Sequence, residues 1–174
     1  MTQETEKAHI LVAAGSKHGS TDEIAHHVAS TLRADGHHVT EAKPAAVVNA
    51  GDFDAIVLGS AVYAGHWTGD AKDLASRIGD LTTMPDVWLF SSGPVGDPPK
   101  PEEEPVDVAD VIRLTAARGH RVFSGRIDKA KLTFGEKAIV MALRAPEGDF
   151  RQWDEIGSWA SSIAAAVRGK VTST

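Results

Sequence analysis

The sequence predicts an α/β domain in which a parallel β-sheet is covered by helices on both faces. Short apolar runs typical of buried strands alternate with segments whose apolar residues recur at helical spacing. The chain has 174 residues, the size of one ordinary domain, and no internal repeat or second domain boundary interrupts the alternation. Residues 1–174 are therefore expected to fold as a single domain.

The first strand–helix–strand unit opens with a continuous apolar run, as a strand buried on both faces requires. The following helix carries apolar residues at every fourth position and stops at a glycine, a residue that favours helix ends. The predicted elements are a strand over 9–14, a helix with Ile24, Val28 and Leu32 on one face that stops at Gly36, and a strand over 37–43.

The middle of the chain repeats this order up to a fifth strand. The predicted elements are strands over 55–60, 87–91 and 120–127 and helices over 71–78 and 107–118. An acidic, proline-rich stretch over 93–106 separates the fourth strand from the next helix. It is predicted to be a surface loop, because proline lacks the amide donor and restricts the residue before it.

The remaining predictions concern the two ends of the chain and one inserted segment. Residues 1–8 are expected to be disordered. Residues 128–150 form an inserted segment, in which Thr133 and Glu136 have capping-box spacing before a short helix over 134–144. The last helix, over 152–168, should pack on the sheet, with Trp159 at the edge of its apolar face. That face comprises Trp153, Ile156, Ala160, Ile163 and Val167.

Composition excludes several classes of function. The 18 Lys and Arg against 24 Asp and Glu give a net charge of −6, which argues against a general nucleic-acid binder. The absence of cysteine excludes disulfides, thiolate catalysis and cysteine-ligated metal sites. The amino-terminal residues are polar and no apolar run is long enough to span a bilayer, so neither secretion nor a membrane span is expected. These features predict a cytoplasmic protein.

Charge is unevenly distributed. Residues 86–110 carry seven acidic side chains against one lysine, and residues 118–151 carry eight basic side chains against four acidic ones. The basic stretch is a candidate docking face, and a plain solvated surface is the alternative.

In sheets of this kind, ligands bind beyond the carboxyl ends of the strands. The loop over 15–21 has hydroxyls at Ser16, Ser20 and Thr21 and small-residue amides at Gly19 and Ser20, which could surround a phosphate at a helix N-terminus without a metal. The alternative is a plain capping box between Ser20 and Glu23. The spacing excludes the GxxxxGK[ST] and GxGxxG phosphate loops.

Two further loops follow the third and fourth strands. In the loop over 59–67, a flat aromatic ligand could stack on Tyr63 or Trp67 while backbone groups near Ala64 and Gly65 bind its edge. The alternative is that these aromatic rings only cover the end of the sheet. The loop over 91–99 is built of small residues and is suited to a planar ring.

These loops resemble a known family. ILVAAGSKHGSTDEIA, residues 10–25, resembles the first strand and FMN-phosphate loop of flavodoxins, and FDAIVLGSAVYAG, residues 53–65, resembles their third strand and flavin loop. The resemblance covers most of the chain. It implies a three-layer sandwich around a five-stranded parallel sheet, in the order 2-1-3-4-5, that binds FMN noncovalently.

By that resemblance, three groups of residues would hold the cofactor. The phosphate would be held by Ser16, Lys17, His18, Gly19, Ser20 and Thr21. One side of the ring would face Ala61, Val62, Tyr63, Ala64, Gly65 and Trp67, and the other Ser92, Gly93, Pro94, Val95 and Gly96. His18 stands where flavodoxins usually carry threonine, and the third loop lacks the aromatic residue that commonly stacks on the flavin.

A narrower resemblance is to the menaquinone-dependent protoporphyrinogen dehydrogenases of haem biosynthesis, a flavodoxin-type family. It rests on GHW at 65–67, on the segment inserted after the fifth strand and on GDFRQW at 148–153. This resemblance implies an enzyme that oxidises protoporphyrinogen with a quinone as acceptor. A peripheral membrane contact through residues 128–150 is left open.

The leading functional hypothesis is an FMN-dependent oxidoreductase that passes electrons from a reduced organic donor to a quinone or protein acceptor. His66 is the candidate catalytic proton carrier, because imidazole titrates near neutral pH, and an exposed loop histidine is the alternative. A nonenzymatic electron carrier serving a redox partner protein is the second hypothesis, and a flavin-free scaffold is the third. Four further histidines are assigned to the surface, namely His26, His27, His37 and His38.

Overall fold

A computed structural model describes residues 7–63, 65–93, 107–127, 134–135, 137–138, 148–149 and 151–171. In these ranges the strands are β1 His9–Gly15, β2 His38–Ala42, β3 Ala55–Tyr63, β4 His66–Trp67, β5 Asp86–Ser92, β6 Gly119–Phe123, β7 Arg126–Ile127 and β8 Gly148–Asp149. The helices are α1 Ser20–Ala34, α2 Gly69–Gly79, α3 Val108–Thr115 and α4 Trp153–Val171. Two short 3₁₀ turns, Pro44–Ala46 and Ala50–Asp52, lead from β2 to β3.

The main sheet is parallel and has the order β2-β1-β3-β5-β6. Strand β1 pairs with β2 on one side and β3 on the other, so that Ile10 is opposite both Val39 and Ala55. The short β4 folds back antiparallel onto β3. The five long strands therefore have the order 2-1-3-4-5, which confirms the expected topology.

Alternation of side chains along each central strand divides the core in two. In β1, Ile10 and Val12 face one cluster, whereas Leu11 and Ala13 face the other. Helices α1 and α4 cover the first cluster, and α2 and α3 cover the second. The continuous apolar runs thus supply both faces of the sheet, and the result is the expected three-layer sandwich.

The last helix buries the face that its sequence periodicity predicts. Ile156, Ala160 and Ile163 are fully buried against the sheet. Trp159 is also buried, with its ring centroid 5.4 Å from that of Phe123 and 6.0 Å from that of Phe90. This aromatic group joins α4 to β5 and β6.

Two predicted elements have different bounds in the structure. Strand β3 continues to Tyr63 and turns at Gly65 into β4, where a loop was expected. The predicted strand over 120–127 divides into β6 and β7, and β7 pairs antiparallel with β8 instead of extending the parallel sheet. The first difference arises from a tight hairpin, in which Tyr63 pairs with His66, and the second from pairing between segments more than 20 residues apart. Periodicity reveals neither kind of pairing.

The assignment of His37 to the surface was wrong. Its side chain is buried, and its Nε2 lies 3.0 Å from the carbonyl oxygen of Ala164 in α4. His26 and His38 are exposed as expected.

Several sequence expectations fall on residues that the structure does not describe. Residues 1–6, the proline-rich loop over 94–106 and most of the inserted segment lie outside the described residues. Within the predicted helix over 134–144, the four described residues are helical. Ala8, within the stretch expected to be disordered, is buried, and its carbonyl oxygen accepts a hydrogen bond from His38 N.

Candidate functional site

Three loops begin at one edge of the sheet. Strands β1, β3 and β5 are adjacent and parallel, and their registers place Gly15 opposite Ser60 and Ala61 opposite Ser92. The segments that follow these positions therefore leave the sheet side by side. They are the three loops that sequence analysis selected for binding, and they form the candidate site.

The first of these loops turns sharply into α1. Gly19, with a φ of 89°, occupies the left-handed region that glycine adopts without strain, and it stands at the N-cap position. The side-chain oxygen of Ser16 accepts a hydrogen bond of 3.0 Å from Gly19 N. The first helical hydrogen bond runs from Glu23 N to Gly19 O, so the amides of Ser20, Thr21 and Asp22 precede the helical ladder.

The alternative interpretation of this loop, a capping box between Ser20 and Glu23, was wrong. Ser20 is the first helical residue and not the cap, and the N-cap residue Gly19 provides no side-chain cap. The carboxylate of Glu23 is hydrogen-bonded instead to the guanidinium of Arg151. Glu23 thus pairs with the distant Arg151 and not with Ser20. The Ser20 hydroxyl and the first amides of α1 are therefore available to a ligand.

Thr21 carries the clearest sign of a missing partner. Its side chain is 1% exposed, and no described residue forms a hydrogen bond with its Oγ1. A buried hydroxyl without a partner costs on the order of 1–3 kcal/mol, and native proteins rarely leave one in that state. Its place in the first turn of α1 is where an anion would be bound.

The first and second loops contact each other. The backbone N–H of Lys17 donates to the phenolic oxygen of Tyr63 at 3.2 Å, and the Lys17 ammonium lies 5.5 Å from the centre of the same ring. The imidazole of His18 meets that ring edge-on at 6.2 Å between centroids. Tyr63 therefore lies against the predicted phosphate loop.

Gly15, at the start of the first loop, allows the side chains of Thr68 and Asp70 to lie close to its backbone. A β-carbon at this position would lie 1.8 Å from Thr68 Oγ1 and 2.9 Å from Asp70 Oδ1. Thr68 is held in place by Ser60, whose Oγ accepts a hydrogen bond of 2.9 Å from Thr68 N. Sequence analysis did not select Thr68 or Asp70, because their proximity to Gly15 depends on strand pairing.

Trp67 lies beneath the site and not on its open surface. Its side chain is 3% exposed and packs in the core cluster with α2. Its Nε1 donates to Ser91 Oγ at 2.8 Å, and the same oxygen lies 2.8 Å from His120 Nε2. In this position the indole supports the second loop from the core. The prediction that Trp67 faces the ring does not agree with this burial.

Asp107 fastens the second loop to the start of α3. Its Oδ2 accepts hydrogen bonds from Trp67 N at 3.0 Å and from His66 Nδ1 at 3.1 Å, and Lys72 Nζ lies 3.5 Å away. Partial burial raises the pKa of Asp107, but these hydrogen bonds and the charge of Lys72 outweigh it and hold the pKa below its ordinary value. Sequence analysis placed Asp107 in an acidic stretch and missed this contact.

The third loop begins at the end of β5, where its first backbone amide is hydrogen-bonded to β6. Ser92 and Gly93 are buried, and Gly93 N donates to Phe123 O at 2.9 Å. Of the residues expected to bind the flavin, Ala64, Pro94, Val95 and Gly96 lie outside the described residues. Ala61 and Val62 belong to the end of β3, and Gly65, with a φ of 82°, forms the turn into β4.

The flavodoxin domain family matches residues 11–154 of the chain. This chain belongs to that family. Membership implies FMN as the cofactor, which confirms the expectation drawn from the resemblance. The described residues fit its phosphate, because Thr21 offers a buried hydroxyl without a described partner beside the free first-turn amides of α1.

Solved structures show the same fold. The flavodoxin of Streptococcus pneumonia TIGR4 is 20% identical, with a TM-score of 0.63, and the match covers 91% of this chain and 99% of that one. A flavodoxin from the domain Archaea is 14% identical, with a TM-score of 0.60, over 92% of this chain and 99% of that one.

A larger protein contains the same fold as one part. Rubredoxin oxygen:oxidoreductase from Desulfovibrio gigas is 15% identical, with a TM-score of 0.65, and the match covers 95% of this chain but 38% of that one. No curated protein matches the chain in sequence. Across the described part of the chain, no helix is long and apolar enough to cross a membrane.

Proposed function

We propose that this protein binds FMN between its three loops and transfers electrons through it. Residues 16–21 would hold the phosphate, and residues 61–65 and 92–96 would hold the two sides of the ring. The observation that carries the proposal is the buried Thr21 hydroxyl, which has no hydrogen-bond partner among the described residues. A phosphate oxygen bound there would satisfy it.

The chain supplies binding and orientation, whereas the bound FMN supplies the electron and hydride chemistry. The free amides at the start of α1 and the positive end of its dipole favour a phosphate dianion. Tyr63 packs against the phosphate loop, so the phosphate and ring positions are fixed relative to each other. The buried Trp67 and Ser91 support the second loop from below.

His66 is the residue proposed to handle protons beside the ring. Its side chain is 54% exposed and belongs to the hairpin of β3 and β4, within the second loop. An ionised carboxylate only accepts hydrogen bonds, so Asp107 requires the proton of neutral His66 to be on Nδ1. Nε2 is then the nitrogen that can take up or release a proton.

FMN binding is tested directly on the purified protein. Apoprotein should quench the fluorescence of added FMN in proportion to occupied sites and gain thermal stability as the site fills. Thr21→Val should weaken FMN binding. Thr115→Val is a matched control, since Thr115 is equally buried but bonds to Val111 O. A wild-type protein that neither binds nor is stabilised by FMN would refute the proposal.

A second candidate is the enzyme form of this function, oxidation of protoporphyrinogen with a quinone as acceptor. The pairing of β7 with β8 makes the inserted segment leave and return at one place. That place adjoins two of the loops, because a β-carbon on Gly125 would lie 3.4 Å from Gly93 N, and Arg151 reaches Ser20 O at 3.3 Å. An insertion rooted beside a flavin site favours a substrate-binding role for it.

Turnover distinguishes the enzyme from the electron carrier. FMN-loaded protein mixed with protoporphyrinogen and menadione should consume both over many cycles if the chain is the enzyme, transferring hydrogen from porphyrinogen to quinone. No turnover, together with rapid reduction by a flavodoxin reductase, would select the carrier. If the chain is the enzyme, the variant His66→Gln should slow turnover and leave the affinity for FMN unchanged.

A further inference from the structure

The helix at the proposed phosphate site carries two acidic residues in its first turn. Asp22 and Glu23 lie in the first turn of α1, beside Ser20 and Thr21. Carboxylates in a first turn interact favourably with the same helix dipole that would attract a phosphate. They would also repel a phosphate dianion. A phosphate site here therefore requires that both charges be compensated.

Arg151 compensates one of them from a buried position. Its side chain is 4% exposed although it carries a full charge. Nη1 is hydrogen-bonded to the carboxylate of Glu23 and lies 3.3 Å from Ser20 O, the first carbonyl of α1. The guanidinium therefore contacts α1 through both its backbone and its acidic side chain.

The rest of the Arg151 side chain is held by residues near the end of the inserted segment. Nε and Nη2 donate to the two carboxylate oxygens of Asp149 at 2.8 and 2.6 Å, and the guanidinium lies 4.6 Å from the centre of a Trp153 ring. The hydrogen bonds with Asp149 raise the pKa of Arg151 and lower that of Asp149, so both groups stay charged. Such a fork is rigid.

Asp22 has a cation of its own. Lys43, at the end of β2, forms an ion pair with the Asp22 carboxylate. This pair is more exposed than the one made by Arg151, with side-chain exposures of 58% for Lys43 and 37% for Asp22. Each first-turn carboxylate is thus paired with a cation that comes from outside the helix.

We infer that Arg151 is a positioning residue for the cofactor phosphate, which holds the Glu23 carboxylate and offsets its charge so that the 16–21 loop prefers FMN to riboflavin. This role rests on the proposed function, because it assumes that the phosphate binds in this loop. A purely structural anchor would secure α1 to the inserted segment without distinguishing the two flavins. The preference between FMN and riboflavin therefore separates the two roles.

The experiment measures the dissociation constants of FMN and riboflavin by quenching of flavin fluorescence with full-length apoprotein. The variants are Arg151→Met, Glu23→Gln and the double variant. Methionine keeps much of the arginine volume and removes its charge. Arg168→Met is the matched control, since Arg168 is an exposed arginine of α4 that contacts Asp35 O at the far end of α1.

Arg151→Met should reduce the preference for FMN roughly tenfold, since Glu23 and Asp149 lose their shared cation and repel a dianion at the helix terminus. Riboflavin binding should change little. Glu23→Gln in the same chain should restore most of the preference, because it removes the carboxylate that lies in the first turn of α1, and Arg168→Met should leave the preference unchanged. Equal losses for both flavins, an unchanged preference or no rescue by Glu23→Gln would overturn the inference.

Lys43→Met keeps the inference testable if Arg151→Met does not fold. Its exposed ion pair tolerates substitution, and loss of the cation should reduce the FMN preference by roughly threefold, in line with a screened surface pair. Asp22→Asn should rescue it, and no change would count against compensation as the cause. A wild-type protein that binds neither flavin would instead refute the proposed function, so the two failures are distinguishable.

Discussion

Asp107 links the second loop to α3, and its replacement by alanine should destabilise the protein and weaken FMN binding together. One carboxylate oxygen accepts from Trp67 N and from His66 Nδ1 and faces Lys72. The hydrogen bond from Trp67 N is the strongest contribution, because it is partly buried and its acceptor is charged. Alanine would leave this amide without its partner.

The expected loss is about 2 kcal/mol of unfolding free energy, within the range of roughly 1.5–3 kcal/mol for a hydrogen bond to a charged group. The pairs with His66 and Lys72 add little, because these side chains are 54% and 42% exposed and surface pairs contribute roughly 0–1 kcal/mol. For a chain of this size, a loss of about 2 kcal/mol lowers the melting temperature by roughly 4–8 °C.

Thermal unfolding of apoprotein at neutral pH measures this loss. Asp110→Ala is the control, because Asp110 is 74% exposed and, among the described residues, its ion pair is with Arg113 on the surface of α3. It should shift the melting temperature by less than about 2 °C. An Asp107→Ala variant as stable as this control would show that the link between the loop and α3 contributes nothing.

The pH dependence gives an independent check. The folded-state pKa of Asp107 lies below its ordinary value of 3.8, so its contribution to stability is complete above that value and is lost as the pH falls through the folded-state pKa. The difference in melting temperature between wild type and Asp107→Ala should therefore be largest at neutral pH and shrink below pH about 4. A difference that stays constant down to pH about 2.5 would refute the assignment to the ionised carboxylate.

Three further predictions concern the site and the core. Thr21→Val should weaken FMN binding roughly tenfold, as measured by fluorescence titration, while leaving apoprotein stability unchanged or higher, because it removes a buried hydroxyl that no described residue satisfies. Gly15→Ala should cost about 1–3 kcal/mol in denaturant unfolding, since its β-carbon would lie 1.8 Å from Thr68 Oγ1, whereas Gly69→Ala, with open space around it, should be nearly neutral. Ile163→Ala should cost about 2–5 kcal/mol in the same assay, because Ile163 is fully buried between α4 and the sheet, and a cost below about 1 kcal/mol would contradict that packing.

Patterns of neighbouring residues were sufficient to predict most of the fold. The continuous apolar run in β1 places Ile10 on one face and Leu11 on the other, and this alternation already requires helices on both faces of the sheet. The helical spacing of Ile156, Ala160 and Ile163 likewise predicted the buried face of α4. The order of the strands followed from the resemblance to flavodoxins, and the structure confirms it.

The sequence by itself also selected the three loops, because small residues, hydroxyls and helix starts are signals carried by neighbouring residues. The identity of the cofactor followed from the resemblance to flavodoxins. Only the tertiary structure decided which groups these loops contact. Glu23 could have closed a capping box with Ser20, yet it pairs with Arg151, a residue 128 positions away. Asp107 holds a hairpin 40 residues earlier through Trp67 N. Such contacts are set by how the chain packs, and side chains so far apart in sequence leave no periodic trace from which to infer them.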